Sequence, residues 1–134
     1  MDSFLYSHHS HAEHWNWPHF KPAEMACHGS GELGIIPEFM DRLERLRASY
    51  GKPMPITSGY RSEAHNRAVG GAPNSLHLKG RAVDISVRGR DALELIVLAH
   101  GLGFSGIGVN QKGGGRFIHL DDSDGPNRPA LWSY

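Results

Sequence analysis

The stretch NSLHLKGRAVDISV, residues 74–87, is the strongest indication of the fold, because its second half alternates with the two-residue period of a β-strand. Val83, Ile85 and Val87 fall on one face of that strand, which predicts a face buried in the core. Asp84 falls on the other face, although an ionised carboxylate inside a small domain is costly unless it is paired or metal-bound. The stretch therefore predicts a strand that presents a functional acid.

Two segments show the helical spacing of apolar residues. The first spans residues 37–50, begins with a proline that suits a first helical turn, and ends before Gly51. The second begins near Asp91 and ends at Gly101 or Gly103. The residues predicted to face the core are Phe39, Met40, Leu43 and Leu46 in the first helix and Leu93, Ile96 and Val97 in the second.

Short strands are predicted in MPITSGYRS (54–62), SGIGVN (105–110) and RFIHLDD (116–122), the last two joined by the turn QKGGG. The segments 15–35 and 126–134 read as irregular. Helices and short strands in this order predict an α+β domain, with a small antiparallel sheet and helices packed on one side.

The chain has 134 residues, 39% of them hydrophobic, which fits one domain at 17–134 after a polar, histidine-rich segment at 1–16. The 14 basic and 14 acidic residues balance, so no nucleic-acid partner is indicated. No apolar run approaches the ~20 residues that membrane insertion needs. The N-terminal histidines could capture a metal, but without a scaffold a solvated tail is favoured: His8, His9, His11 and His14.

A second polar group falls in the strand predicted at 116–122. On a strand, His119 and Asp121 share a face, so that the imidazole and the carboxylate lie side by side. With His77 and Asp84, His119 completes a set of two imidazoles and one carboxylate. Three such ligands and one open position are the arrangement of catalytic zinc, whose bound water reaches a pKa of about 7.

The residues alone leave other interpretations open. Asp84 could form a salt bridge with Arg81 or Arg88, and His119 could be a core histidine beside a surface acid. A histidine and an aspartate at the spacing of residues 77 and 84 occur together by coincidence in many chains. Spacing by itself does not decide between these interpretations and a metal site.

Several motifs, in order, resemble the D-Ala-D-Ala carboxypeptidase family of zinc peptidases. SLHLKGRAVDI is similar to the family's S-x-H-x-x-G-x-A-x-D signature at every fixed position, and ITSGYRSEAHNRAVGGAPNS to its SGYRS stretch. FIHLD is similar to its closing H-x-D element, and HFKPAEMACHGSGEL and LWSY to a short branch that includes phage-encoded members. The resemblance runs from about Trp17 to the C-terminus and implies the hedgehog/DD-peptidase fold.

The resemblance also implies roles for individual residues. His77, Asp84 and His119 align with the ligands of one Zn²⁺ ion. Arg61 aligns with the arginine that contacts substrate and stabilises the reacting carbonyl, a role that suits a permanently charged guanidinium. The residues implied to bind substrate are Arg61, Ser75 and Trp132.

The general base is the position at which the chain departs from the family pattern. Several relatives have a glutamate three residues before the last histidine ligand, where this chain has Arg116, which cannot accept a proton. Others use a histidine slightly upstream, where this chain has GGG. Asp121 is predicted either to be the catalytic base or to orient His119 through its second ring nitrogen.

The resemblance therefore implies a zinc metallopeptidase, predicted to be monomeric, that hydrolyses bonds involving D-amino acids in peptidoglycan stem peptides or cross-links, as a carboxypeptidase or an endopeptidase. The alternative is a non-catalytic, zinc-containing cell-wall or virion binding module, as in the hedgehog signalling domain, which resembles this fold. No signal peptide is visible, although the substrate lies outside the cytoplasmic membrane. Release by phage lysis or delivery on a virion would explain this combination.

Overall fold

The computed structural model describes the backbone of residues 4–7 and all of residues 15–134, so the histidine-rich stretch 8–14 lies outside the described residues. The elements in chain order are β1 (Phe4–Ser7), α1 (Pro22–Met25), β2 (Glu32–Ile35), α2 (Pro37–Tyr50), β3 (Ile56–Ser58), α3 (Glu63–Ala68), a 3₁₀ turn (Leu76–Lys79), β4 (Ala82–Ile85), α4 (Gly89–Gly101), β5 (Gly106–Asn110), β6 (Phe117–Asp121) and β7 (Ala130–Ser133).

The main sheet has five strands in the order β3-β4-β6-β5-β7, with β6 at its centre between β4 and β5. The first three pairings are antiparallel, which confirms an α+β domain with a mostly antiparallel sheet. The last pairing, β5 with β7, is parallel. The prediction of an irregular segment at 126–134 is therefore wrong for residues 130–133, because their backbone extends the sheet through hydrogen bonds such as Ala130 N to Ser105 O at 2.8 Å.

The segment 15–35 is also more regular than its composition indicates. It contains α1 and β2, and β2 pairs with β1 in a separate two-stranded antiparallel sheet. Gly80, which ends the 3₁₀ turn in a left-handed conformation, packs against the backbone carbonyl of Gly34 in β2. A Cβ at residue 80 would collide with that carbonyl, so the small residue serves a backbone contact between these two elements.

The core lies between one face of the main sheet and the helices α2 and α4. The core-facing residues of β4 and β6 are fully buried: Val83, Ile85, Ile118 and Leu120. α2 begins at Pro37 and ends at Gly51, whose φ of 71° is left-handed, as predicted. Its predicted inward residues are all buried: Phe39, Met40, Leu43 and Leu46.

The predicted inward face of α4 is wrong in part. Leu93 and Val97 are each 64% exposed, whereas Ala92, Leu95 and Ala99 are buried. Both sets follow helical spacing, because apolar residues surround most of this helix, so periodicity could not choose between them. None of the helices in the described part of the chain has the length and hydropathy needed to cross a bilayer.

Candidate metal centre

The polar face of the main sheet carries a row of residues that lie opposite one another on neighbouring strands. Asp84 of β4 is paired with His119 of β6, and His119 with Gly108 of β5. Gly108 is paired with Trp132 of β7, whose indole occupies the space that a side chain at residue 108 would fill. The Trp132 ring therefore reaches the His119 ring, with centroids 5.2 Å apart.

His77 enters this row from the 3₁₀ turn. The Ser75 hydroxyl caps the turn by accepting a hydrogen bond from the backbone N–H of His77 at 3.2 Å. The ring Nδ1 of His77 lies 2.7 Å from the carbonyl oxygen of Gly59, which can only accept, so Nδ1 carries the hydrogen. The lone pair on Nε2 is left to face Asp84, 3.3 Å from its Oδ1.

His119 lies between two carboxylates. Its Nε2 is 2.8 Å from Oδ2 of Asp121, and its Nδ1 is 3.1 Å from Oδ1 of Asp84. Burial lowers the pKa of His119, but the hydrogen bonds to Asp121 and Asp84 outweigh this effect and raise the pKa above its ordinary value. A cation bound at Nδ1 would replace the hydrogen that this nitrogen otherwise donates to Asp84.

The three side chains fit a metal ion. One ligand atom from each of His77, Asp84 and His119 lies within 4.8 Å of the other two, and all three residues are buried. Burial raises the pKa of Asp84, but the hydrogen bond from the His119 ring and the nearby His77 ring hold it well below its ordinary value. Two imidazoles and an ionised carboxylate with a free fourth position form the kind of donor set that binds catalytic zinc.

The alternative salt bridges of Asp84 are wrong. Arg81 is bonded to Asp122 instead, with its Nε 2.9 Å from Oδ1 of that residue. Arg88 precedes the first turn of α4 and is exposed. The arginine that does approach Asp84 is Arg61, whose terminal nitrogen is 3.4 Å from Oδ2.

Asp121 is completely buried, and both of its carboxylate oxygens are hydrogen-bonded. Arg128 donates from Nε to Oδ1 at 3.0 Å and from its terminal nitrogen to Oδ2 at 2.9 Å. The backbone N–H of Ser123 lies 3.4 Å from Oδ1, and Oδ2 also accepts from His119. Burial raises the pKa of Asp121, but the bonds from His119 and Arg128 lower it to about 2, so this carboxylate is ionised at neutral pH.

Arg61 is held beside the three donors by polar contacts on several sides. Its Nε donates to the Ser58 hydroxyl at 3.0 Å, and a terminal nitrogen donates to the amide oxygen of Asn66 at 3.2 Å. Asn66 is buried and donates in turn to the carbonyl of Ala72 at 2.9 Å. Because a guanidinium carries five N–H groups, donors remain available on the cleft side of Arg61 after these bonds.

These residues line one cleft of about 730 Å³, with the three donors in its wall. The structure brings together every residue that the sequence predicted for the site: Arg61, Ser75, His77, Asp84, His119, Asp121 and Trp132. Phe117 and Tyr134 extend the aromatic wall formed by Trp132, with their ring centroids 5.0 Å apart. Arg116 lies outside the cleft lining and donates to the carbonyl of Gly113 at 2.9 Å.

Comparison with known proteins agrees with this geometry. The model of a family described as peptidase M15 matches residues 18–121 of the chain. The chain belongs to the peptidase M15 family. The match confirms the resemblance seen in the motifs at residues 75–84 and 117–121.

Two M15-like relatives illustrate the similarity. The chain is 34% identical over 96 residues to the zinc D-Ala-D-Ala carboxypeptidase of Streptomyces albus G, which covers 70% of this chain and 36% of that protein. It is 34% identical over 101 residues to the peptidoglycan L,D-endopeptidase MepK of Escherichia coli K12, which covers 70% of this chain and 53% of that protein. The chain thus spans between about a third and about half of the length of these curated relatives.

Sequence reasoning missed three residues of the M15 site. Arg128 follows Asp121 in an irregular segment, so no periodicity connects the two residues. Phe117 lies two residues before His119, so the strand period places it on the same face, but the motifs imply no role for it. Tyr134 lies in the segment that was predicted to be irregular. The signal that could have found Tyr134 is Gly108, because the space above this glycine on the polar face of β5 is occupied by Trp132 and Tyr134.

Proposed function

We propose that this M15 chain is a zinc-dependent peptidase that cleaves peptide bonds involving D-amino acids in peptidoglycan stem peptides or cross-links. The observation that carries the proposal is the convergence of His77, Asp84 and His119 in the wall of an open cleft, beside Arg61. A site that only stabilises the fold would be closed by a fourth protein ligand. Here the described residues supply three ligands and leave a position that faces the cleft.

Each side chain has a part in the proposed reaction. His77, Asp84 and His119 would hold the zinc ion, which when bound lowers the pKa of a water molecule and polarises the scissile carbonyl. Arg61, fixed by Ser58 and by a buried asparagine, presents its remaining N–H groups to the carbonyl oxygen as negative charge develops there. The aromatic side of the cleft would pack against the substrate peptide, with the Trp132 ring next to that of the last ligand, His119.

The geometry supports the orienting role for Asp121 over the role of general base. The residue has no exposed surface, and its oxygens are occupied by His119 and Arg128. It contacts Nε2 of His119, whereas the nitrogen near Asp84 is Nδ1. An ionised carboxylate in this position fixes the hydrogen on Nε2 and so presents Nδ1 to the metal.

The substrate class is proposed from the names of the relatives. One relative is named for D-Ala-D-Ala and the other for peptidoglycan and an L,D bond, so a D-amino acid beside the scissile bond is common to both names. The choice between a terminal residue and a cross-link, and release at phage lysis, stay predictions. The proposed place of action is the cell wall.

The second candidate is a non-catalytic zinc module that binds the cell wall. One observation favours it: among the described residues that line the cleft, the carboxylates are Asp84 and Asp121, and both are engaged by the site itself. Arg116, at the position of the family's glutamate, bonds to a backbone carbonyl away from the cleft. A module without a base would bind zinc and wall peptides but release no product.

Incubation of the zinc-loaded protein with purified sacculi separates the two candidates. We expect new peptide termini, identified by mass spectrometry of the soluble and digested muropeptides, that vanish with a chelator and return with Zn²⁺. Bound zinc with no product at high protein concentration would leave the binding module as the function. Asp121→Asn tests the role of Asp121: the orienting role predicts a partial loss of turnover, because an amide oxygen still accepts from Nε2, and a general base predicts complete loss with zinc retained.

A further inference from the structure

We propose that Arg128 is a positioning residue of the metal centre, which acts through Asp121 to fix the ring of His119. The inference rests on the proposed function for the identity of the metal, but its geometry is independent of the reaction. Arg128 binds both carboxylate oxygens of Asp121, at 3.0 and 2.9 Å, in the paired geometry that a guanidinium forms with a carboxylate. None of its described hydrogen bonds goes to a donor atom of the three metal ligands.

Arg128 holds the carboxylate of Asp121 in place. The carboxylate is completely buried, and Arg128 donates to both of its oxygens, which fixes the rotation of the carboxylate plane. Without the guanidinium, the carboxylate would be free to turn away from His119. That rotation would remove the acceptor that now lies 2.8 Å from Nε2 of His119.

The carboxylate of Asp121 in turn fixes the ring of His119. A neutral imidazole carries one hydrogen on either nitrogen, and an ionised acceptor at Nε2 selects the form in which Nδ1 is free to bind a metal. The same contact sets the rotation of the ring about its bond to the strand. Loss of the acceptor would leave part of the population with the hydrogen on Nδ1, the nitrogen that lies 3.1 Å from Asp84.

Arg128 also contacts Trp132, which is a second neighbour of the His119 ring. The guanidinium carbon of Arg128 lies 5.0 Å from the centre of the Trp132 ring, and Trp132 stands 5.2 Å from His119. Arg128 thus touches both neighbours that fix His119, one through charge and one through its planar face. Its remaining terminal nitrogen donates to the carbonyl of Asn127 at 3.1 Å, which holds the guanidinium in place.

Arg81 is a matched control in the same fold. It is bonded to Asp122, the residue next to Asp121, at 2.9 Å, and Asp122 is nearly as buried. Neither Arg81 nor Asp122 lines the metal cleft. Replacing Arg81 therefore removes an ion pair between a half-buried arginine and a buried aspartate at the adjacent position, away from the residues that contact His119.

The test is the zinc affinity of the full chain, measured by competition with a chromogenic chelator. We expect Arg128→Met to weaken zinc binding by about 10- to 100-fold, the usual effect of losing a partner that orients a ligand. Arg128→Lys should recover part of this loss, because it keeps the charge but not the paired geometry. Arg81→Met should change zinc affinity by less than about threefold, although it should lower thermal stability about as much as Arg128→Met does.

A double-mutant cycle shows whether Arg128 acts through Asp121. In an Asp121→Asn background there is no carboxylate for Arg128 to hold through paired hydrogen bonds, so we expect a further Arg128→Met change to alter zinc affinity by less than about threefold. Additive effects would overturn the proposal, as would parent-like zinc affinity in Arg128→Met. The Arg128→Lys variant and the double variant keep the test decisive if Arg128→Met does not fold.

The zinc-affinity test of Arg128 and the cleavage test of the proposed function can fail independently. Tighter zinc binding in the parent than in Arg128→Met, with no cleavage of sacculi, would remove the peptidase proposal and keep the role of Arg128. Cleavage by the parent with unchanged zinc affinity in Arg128→Met would do the opposite. The cobalt-substituted protein gives a further readout, because its visible spectrum should shift in Arg128→Met and not in Arg81→Met if the ligand geometry depends on Arg128.

Discussion

The two faces of β4 and β6 are built from alternate residues of the same short strands, and both faces are buried. One face is apolar and packs against the helices through Val83, Ile85, Ile118 and Leu120. The other carries Asp84, His119 and Asp121, each bonded to the others or to an arginine. Burial of the first face needs no partner, whereas every group on the second needs one. Stability and metal chemistry should therefore respond to different substitutions along one strand.

The largest expected effect lies on the polar face. His119→Ala removes a metal ligand and leaves the carboxylates on both sides of the ring without their shared donor. We expect zinc binding and hydrolysis of sacculi to fall to background, with a smaller loss of stability than in the core variant below. Metal content by elemental analysis and product release check the first part. Parent-like zinc binding in this variant would remove His119 from the ligand set.

The neighbouring residue on the same strand should behave in the opposite way. Leu120 is fully buried in the core, and Leu120→Ala leaves a cavity that surrounding side chains fill only in part. We expect the free energy of unfolding to drop by about 2–5 kcal/mol. Urea denaturation measures this change, and zinc titration of the folded protein should give nearly the parent affinity. A large loss of zinc affinity in the folded state would mean that the two faces are not independent.

A glycine on β5 tests how tightly Asp121 is held. A Cβ at Gly106 would overlap both carboxylate oxygens of Asp121, so Gly106→Ala must displace that side chain or the strand. We expect about a tenfold loss of zinc affinity, since displacement of a residue that orients a ligand has effects of this size. Gly114→Ala is the control, because a Cβ there meets nothing within 4 Å. Equal affinities in the two alanine variants would show that Asp121 can move without consequence for the metal.

The same two faces show how far the sequence could go. The alternation of residues 82–87 and the shared face of His119 and Asp121 were sufficient to place candidate polar residues on one face of the sheet. Their prediction as metal ligands depended on the resemblance of the motifs to the zinc peptidases. The arginine bonded to Asp121 could not be predicted, since Arg128 reaches it from an irregular segment by a tertiary contact alone. β7 was missed for a related reason: its residues join the sheet by parallel pairing with β5, which a local pattern does not encode.

The helices give the same lesson for the core. In α2 the charged residues leave one apolar face, so periodicity predicted the buried residues correctly. In α4 apolar residues surround most of the helix, and two inward faces satisfy the same spacing. The observed face contains Ala92 and Ala99, whose small side chains allow close packing, and this choice depends on the neighbouring elements.

The smallest expected effect is at the exposed face of α4, which is not part of either buried face of the sheet. Leu93 is 64% exposed, whereas Leu95 on the same helix is fully buried. Leu93→Ala keeps a good helix former at an exposed position, so we expect a change in the free energy of unfolding within about 0.5 kcal/mol. Leu95→Ala should cost about 2–5 kcal/mol by the cavity it leaves. Both variants should keep the parent zinc affinity. If Leu93→Ala were as destabilising as Leu95→Ala, this side of α4 would be covered in the folded protein, and a third buried face would have to be added to the two that the sheet provides.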